Sequence, residues 1–492
     1  MIEKRVSADG KVKLVPVVIE VNDHDSGGQY NLDQMHPERK GFHSELYVAT
    51  MLQRARRDAL EGKRILLVGS GYAGKRPIFV RAKELGVKVV LAGPKDAFVK
   101  SLIKDGLVDE FIEADNTKVP EARAAIADKL LRSARKNGKL DGITTFWEDD
   151  VELTALLSQD LKLPYHTPVA ARTARSKFQT QVKLKAEDVL AARHEILDNL
   201  SKSENPAARA AALETFRAAA LRVGFPAVLK PESGAAAIGT EKVNSVEEAV
   251  SAYQRISALV NPATDPIFAL NSNLILMQYL DGHEYDVDLV MVAGEPVFSS
   301  ITDNKPTREP SFLATGSRLP STLPAAQQKA AVDQAIASAK ALGLTDGVLH
   351  MEGKVTSEGP RLIEANARMG GTYVHEWVKA VWGVDLAEEG LMAAAGIGGK
   401  PYKPKQPLVH LDGDFFNADK PGTIKAIVIP EDVKTMPGFV RIREAKHVGD
   451  KITLEENGGF ARVLMIEAGG KDAAEAARNL AAIKAKIRVV IE

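Results

Sequence analysis

The residues in this chain best suited to chemistry lie in one stretch, GVLHMEGKVTSEGPRLIEANARMGG. Residues 348–355 alternate as a strand does, with His350, Glu352 and Lys354 on one face and Leu349, Met351 and Val355 on the other. Residues 361–368 alternate too: Glu364, Asn366 and Arg368 share a face, and Ile363, Ala365 and Ala367 the opposite one. The TSEGP between them has turn composition. A hairpin symmetric about Glu358 sets Glu352 across from Glu364 and His350 across from Asn366. Two like charges facing each other destabilise a strand pair, and a divalent cation held by hard oxygen ligands is the simplest compensation. Glu352, Glu364 and Asn366 are therefore a candidate magnesium set, and Arg368 suits a phosphate or carboxylate beside it. The competing expectation is a solvated hairpin face carrying two exposed glutamates.

A second group of residues precedes the hairpin. Lys230 ends an apolar strand pattern and is followed by PESGAAAIG, in which Gly234, Ala235 and Ala236 leave room for backbone N–H groups to approach phosphates. The lysine adds a point charge. Gln278, Tyr279 and Leu280 close another apolar run, where backbone groups can meet an adenine edge, and Glu284 follows the turn, placed to take ribose hydroxyls. Glu284, Asp286 and Asp288 share one strand face, opposite Tyr285, Val287 and Leu289; a solvated face is expected for at least one of these acids. The turn GSGYAG at 69–74, followed by Lys75, partly matches both the dinucleotide fingerprint and a Walker A loop. Arg76 stands where the latter needs Ser or Thr, and no acid closes the second strand at LAGP. A tight strand-to-helix turn that needs small residues is the expected reading.

Positioning these groups takes several units. With 492 residues, the chain is long enough for two to four domains. Hydrophobic residues at 45% and charged residues at 26% are ordinary for a globular protein. Lys+Arg equals Asp+Glu at 65 each, so no global field favours nucleic acid or an anionic membrane. The absence of cysteine excludes disulfides, thiolate metal sites and cysteine nucleophiles, and fits a cytoplasmic setting. No apolar run reaches membrane-spanning length and the first residues carry no hydrophobic signal region.

The pattern predicts an N-terminal extension over 1–62 and a Rossmann-like unit over 63–165, where strands and helices alternate. A two-part core follows over 166–399, with a lid at about 177–275 that is largely helical over 167–224. After the linker KPYKPKQP, residues 400–492 read as a last small domain with an α+β pattern. The fold class expected is thus multidomain α/β and α+β.

The order of these parts resembles the ATP-grasp fold. Lys177 in RTARSKFQ, Lys230 with its small-residue loop, MQYLDGHE, Glu352 in HMEGKVT and LIEANARMGG carry the resemblance, over roughly residues 63–399. The last segment, GTIKAIVIPEDVKTMPGFVRIREAKHVGDKI, is similar to the C-terminal domain of the L-amino acid ligase branch, the dipeptide-forming and carnosine-synthase-like enzymes. The resemblance implies that Lys177 and Lys230 contact ATP phosphates, that Gln278, Tyr279 and Leu280 line the adenine, and that Glu284 holds the ribose. It implies Mg2+, with Mn2+ as a substitute, on Glu352, Glu364 and Asn366. Arg368 would stabilise the transferred phosphoryl group, and Lys305 would reach the phosphates or a substrate carboxylate. The chain departs from the family in its alanine-rich phosphate loop and in Gln278, where an acid is common.

The implied activity is an ATP-dependent carboxylate–amine ligation, most simply of two amino acids, through an acyl phosphate. Glu148 and the His350 face are candidates for amine recognition. The partners expected are small carboxylate and amine substrates, with no nucleic acid or membrane, in a homodimer. An ATP-grasp carboxylase or purine-pathway type ligase is the alternative within the fold. A non-catalytic nucleotide-binding protein is the alternative outside it.

Overall fold

The computed structural model describes residues 2–6, 12–16, 42–203, 205–234, 237–264, 268, 271–454, 459 and 461–492. Ala235 and Ala236 lie outside the described residues, as does half of the expected extension. Within that extension, β1 (Ile2–Val6) pairs antiparallel with β2 (Val12–Pro16), and Phe42–Leu60 is a helix.

The first unit is a parallel sheet of β3 (Arg64–Val68), β4 (Lys88–Gly93), β5 (Glu110–Glu113) and β6 (Gly142–Thr144), in the order β5-β4-β3-β6. Its strands are apolar on both faces because both are covered. Ile65 and Leu67 pack with Ile78 and Phe79 of the helix Arg76–Glu84. Leu66 and Val68 pack with Ile126 and Leu130 of Val119–Asn137 and with Leu153 and Leu157 of Val151–Leu161.

A second, antiparallel sheet comprises β7 (His194–Leu197), β8 (Ala227–Pro231), β9 (Glu241–Val243) and β10 (Leu274–Gln278), in the order β7-β10-β8-β9. The helices Pro206–Val223 and Val246–Leu259 cover it, with Phe216 stacked on Tyr253 at 4.3 Å. The stretch 167–224 is largely helical, as expected, through Pro168–Arg175, Lys177–Ala186 and Pro206–Val223, and is interrupted by β7. That strand is four residues long at a sheet edge, and its ladder to β10 is non-local, so its own sequence carries little strand signal.

The third unit contains β11 (His283–Val292), β12 (Glu295–Asn304), β13 (Gly316–Leu319), β14 (Gly347–Thr356), β15 (Gly359–Asn366), β16 (His410–Asn417), β17 (Gly422–Val428), β18 (Phe439–Glu444), β19 (Lys451–Ile452), β20 (Arg462–Gly470) and β21 (Arg488–Ile491). Eight of these form one sheet, in the order β15-β14-β11-β12-β13-β16-β20-β18. Residues of the C-terminal segment continue that sheet through β16, β20 and β18. Strand β16 pairs with β13 from Gly316↔Asp414 to Leu319↔Leu411, which covers an edge that would otherwise be open. Tyr285, Val287, Leu289, Leu349, Met351 and Ala365 face the helix Ala325–Leu342 and form a core with Ala331, Ala335 and Ala339. The polar side chains of the same strands are left on the opposite face.

Candidate active site

Strands β14 and β15 are joined by the two-residue turn Ser357–Glu358, with Thr356 paired to Gly359. Continued without interruption, that register would set Glu352 against Ile363. A bulge between Glu352 and Gly353 absorbs Ile363 as an extra residue, so that Glu352 pairs with Glu364 and His350 with Asn366. The pairs are those expected, but the hairpin is not symmetric about Glu358. The bulge also corrects the face of Ile363. Leu362 joins Ala365 and Ala367 in the core, whereas Ile363 lines the cavity and packs on Ile275, Met277 and Leu280.

The register extends through β11. Asp286 pairs with Glu352, and Asp288 with His350, so two rows cross the three strands: Asp286–Glu352–Glu364 and Asp288–His350–Asn366. Asp286 and Asp288 are buried, at 6% and 0% exposure, which overturns the solvated-face expectation for both. Their strand is interior to the sheet, between β14 and β12. Asn304 Nδ2 donates to Asp286 Oδ1 at 2.8 Å, and His350 Nδ1 lies 2.8 Å from Asp288 Oδ1. Burial opposes charge on His350, but Asp288 and Asp286 outweigh it and hold the imidazole up at about 9.

Glu352, Glu364, Asn366 and Arg368 line a cavity of about 610 Å³ between the three units. Asn366 Nδ2 donates to Glu352 Oε1 at 3.2 Å, and Arg368 Nη2 donates to Asn366 Oδ1 at 2.9 Å. Burial, with Glu364 opposite, pushes the Glu352 carboxyl up. Burial acts the same way on Glu364, but Lys177 and Lys230 outweigh it and bring that carboxyl down. Lys177 Nζ is 3.3 Å from Glu364 Oε2 and 3.4 Å from the carbonyl of Gly234. Lys230, on β8, is pulled down to about 8 by burial and by Lys177. Crowded carboxylates facing crowded lysines match a polyanion carrying a divalent cation, which would neutralise both sets.

The far end of the cavity is apolar, lined by Val228, Met277, Leu280, Phe312 and Ile363. The N–H groups of Gln278 and Tyr279 are already donated to the carbonyls of Arg193 and Pro226, at 2.8 and 3.1 Å. An N–H offered to a base here must therefore come from Leu280. Tyr279 uses its side chain as a clasp: its hydroxyl donates to Glu309 at 2.8 Å, and Lys242 sits 4.0 Å over its ring and 2.7 Å from Glu309. Glu284 lies 3.7 Å from Lys354, and burial pushes its carboxyl up. In the small-residue loop after Lys230, Ala237 adopts φ +61, a left-handed conformation in which glycine would be unstrained.

Lys305 does not join this group. Its ammonium is held between Asp412 and Asp414 of β16, 2.6 Å from the latter, and it is not among the cavity-lining side chains. The sequence could not foresee this, because the pairing of β13 with β16 brings those aspartates there.

Sequence reasoning set aside one contributor. In the turn at 69–74, Gly69 and Gly71 take φ +75 and +65, and a Cβ on Gly69 would sit 1.6 Å from Asp150 Oδ2, so the small-residue explanation is right for the turn itself. The turn nevertheless delivers Lys75 into the cavity, next to Trp147 and Arg368. A lysine directly after a glycine turn was the available signal. Glu148 lies 3.0 Å from Arg368 and 3.7 Å from Arg175.

Residues 223–376 match the model of the ATP-grasp domain, residues 79–165 that of the ATP-grasp N-terminal domain, and residues 414–492 that of L-amino acid ligase C-terminal domain 2. The chain is 34% identical over 377 residues to Carnosine synthase 1 of Homo sapiens. This protein belongs to the amino-acid ligase branch of the ATP-grasp superfamily. The aligned region is 74% of this ATP-grasp chain but 44% of the human protein, so the chain spans under half the length of that relative. Alanine--anticapsin ligase of Bacillus subtilis is 26% identical over 312 residues, which are 57% of this chain and 65% of that protein. The crystal structure of an L-amino acid ligase from Bacillus licheniformis superposes with a TM-score of 0.70 at 20% identity, covering 88% of this chain and 99% of that one, a likeness of fold. Among the described residues, no helix of this ATP-grasp protein is long and apolar enough to cross a membrane.

Proposed function

We propose that the protein is an ATP- and Mg2+-dependent ligase that joins two amino acids through an acyl phosphate, releasing ADP and phosphate. The observation that carries this reading is the register pair Glu352–Glu364, flanked by Asn366 and Arg368 and facing Lys177 and Lys230 across one cavity. The likeness to Alanine--anticapsin ligase, whose name states the ligation of an amino acid, and to an L-amino acid ligase C-terminal domain supports the choice of substrate class.

Glu352, Glu364 and Asn366 would hold magnesium, which when bound neutralises the phosphates and orients them for in-line attack. Lys177 and Lys230 hold the phosphates from the lid side. The apolar end between Val228, Met277 and Ile363 takes the base, with Leu280 N–H as donor. A substrate carboxylate attacks the γ-phosphorus and ADP leaves; Arg368 meets the charge on the transferred group. The amine of the second substrate then attacks the acyl carbon, phosphate departs, and the amine loses its proton. No enzyme nucleophile is required, in keeping with a cysteine-free chain. Lid closure over the cavity would keep water from the acyl phosphate.

The test is phosphate release over a panel of amino-acid pairs with ATP and Mg2+, with mass spectrometry of the products. Release that requires two amino acids and yields their condensation product supports the proposal. Release that requires bicarbonate instead marks a carboxylase, and nucleotide binding with no turnover on any substrate marks a non-catalytic protein.

A further inference from the structure

The cavity holds two buried lysines with no carboxylate at ion-pairing distance among the described residues. One is Lys230, 8% exposed, on the lid sheet. The other is Lys75, 7% exposed, delivered into the cavity by the glycine turn of the first unit. The remaining lysines of the cavity have carboxylates: Lys177 has Glu364, and Lys354 has Glu284. Arg368 has Glu148. Lys75 instead shares the cavity lining with Arg368, whose charge opposes its own. A buried ammonium with no counter-ion and an arginine for a neighbour is costly unless an anion arrives. The wall around it is built to hold it in place. A Cβ on Gly71 would lie 3.0 Å from Lys75 Cγ and 3.2 Å from the Trp147 ring, so glycine there lets lysine and indole close on the turn.

Lys230 sits with Lys177 on the lid side, where the nucleotide phosphates are assigned. Lys75 belongs to the first unit and lines the same cavity as the arginine assigned to the transferred phosphoryl group. We propose that Lys75 binds a carboxylate of an amino-acid substrate, holding it on the first-unit side of the cavity against Arg368. This rests on the ligase reading for the identity of the anion. The carboxylate is either that of the donor, which receives the phosphoryl group, or the unreacted one of the acceptor. One ammonium next to Arg368 suits both.

Two measurements test it, and the first needs no turnover. Resting protein is acetylated with limiting acetic anhydride at mildly alkaline pH, and lysines are mapped by mass spectrometry. Amino acids of the panel should protect Lys75 and their amides should not; ATP with Mg2+ should protect Lys177 and Lys230 and leave Lys75 reactive. Protection of Lys75 by nucleotide alone, or equal protection by acids and amides, overturns the proposal. Failure of the whole panel to turn over would count against the ligase reading, and the labelling would still decide whether Lys75 binds a carboxylate.

The second measurement uses the active pair. Lys75→Met should raise KM for one amino acid about tenfold or more, the worth of one hydrogen bond to a charged group, with ATP KM nearly unchanged. Lys75→Arg should recover part of that loss. If the affected substrate is the donor, amino-acid-dependent ATP cleavage falls with it. If it is the acceptor, wild type discriminates against the acceptor amide and Lys75→Met does not. Unchanged KM for both amino acids, or a rise confined to ATP, contradicts the assignment.

Discussion

Glu352 and Glu364 stand opposite each other because a bulge at Ile363 compensates for a two-residue turn at Ser357–Glu358. Without the extra residue, the second glutamate would be out of register with the first and Asn366 out of register with His350. The site is thus set by a local irregularity in the sheet, and its charge pattern makes sense when a cation is shared.

Removing one of the two charges should therefore separate fold from metal. Glu352→Gln is expected to raise the melting temperature of metal-free protein slightly, since facing like charges cost about 0.2–1 kcal/mol. The same variant should lose the extra stabilisation that Mg2+ adds to ATP. Thermal unfolding with ATP, with and without Mg2+, reads both effects; a lower metal-free melting temperature with Mg2+ stabilisation intact runs against the prediction.

Gly353 tests the bulge. A Cβ there would lie 2.6 Å from the Tyr285 hydroxyl and 2.8 Å from the carbonyl of Arg361. Gly353→Ala must shift one strand against the other, at about 1–3 kcal/mol of overpacking. The Mg2+ concentration for half-maximal ATP turnover should rise, more than the ATP requirement does. An unchanged Mg2+ requirement would mean that the bulge does not set the pair.

Arg368 is held by the Asn366 and Met369 oxygens and by Glu148. In the proposed mechanism it meets charge that develops during transfer, so Arg368→Ala should lower kcat about a hundredfold or more while ATP affinity changes little. Rapid-quench kinetics beside equilibrium nucleotide binding separates these. Equal losses in both would reassign Arg368 to ground-state binding.

Lys75 should carry a pH signature. Burial, with Arg368 nearby, pulls its ammonium from 10.5 down to about 8. Between those values the unfolded chain holds a proton that the folded protein lacks, so this group makes stability rise with pH. Below about 8 the penalty is complete, and above 10.5 it is gone. Lys75→Met should thus stabilise the protein at pH 7, by at most about 3 kcal/mol, and the gain should shrink as pH rises from 8 towards 10.5. A pH-independent difference in denaturation midpoint would rule this out.

Much of the site was legible because it lies on strands whose side chains alternate. The pairs Glu352–Glu364 and His350–Asn366, and the clustering of Lys177 and Lys230 near them, follow from local pattern and an ordered set of motifs. Three things were not legible, and each depends on distant pairing. Asp286 and Asp288 looked solvated because nothing local says that β11 lies inside a sheet. Lys305 looked available because its aspartates arrive more than a hundred residues later, on β16. Lys75 looked incidental because its turn is fully explained by glycine geometry, and only the packing of the first unit on the third makes it a wall of the cavity.

The central claim is that the Glu352–Glu364 pair holds magnesium on ATP for carboxylate activation. The most direct measurement is amino-acid-dependent phosphate release by wild type and Glu364→Gln over a Mg2+ titration, with circular dichroism to confirm a common fold. The account predicts release by wild type only with ATP, Mg2+ and both amino acids, and no release above background from the variant at any Mg2+ concentration. Wild-type rates from a folded Glu364→Gln protein would contradict it.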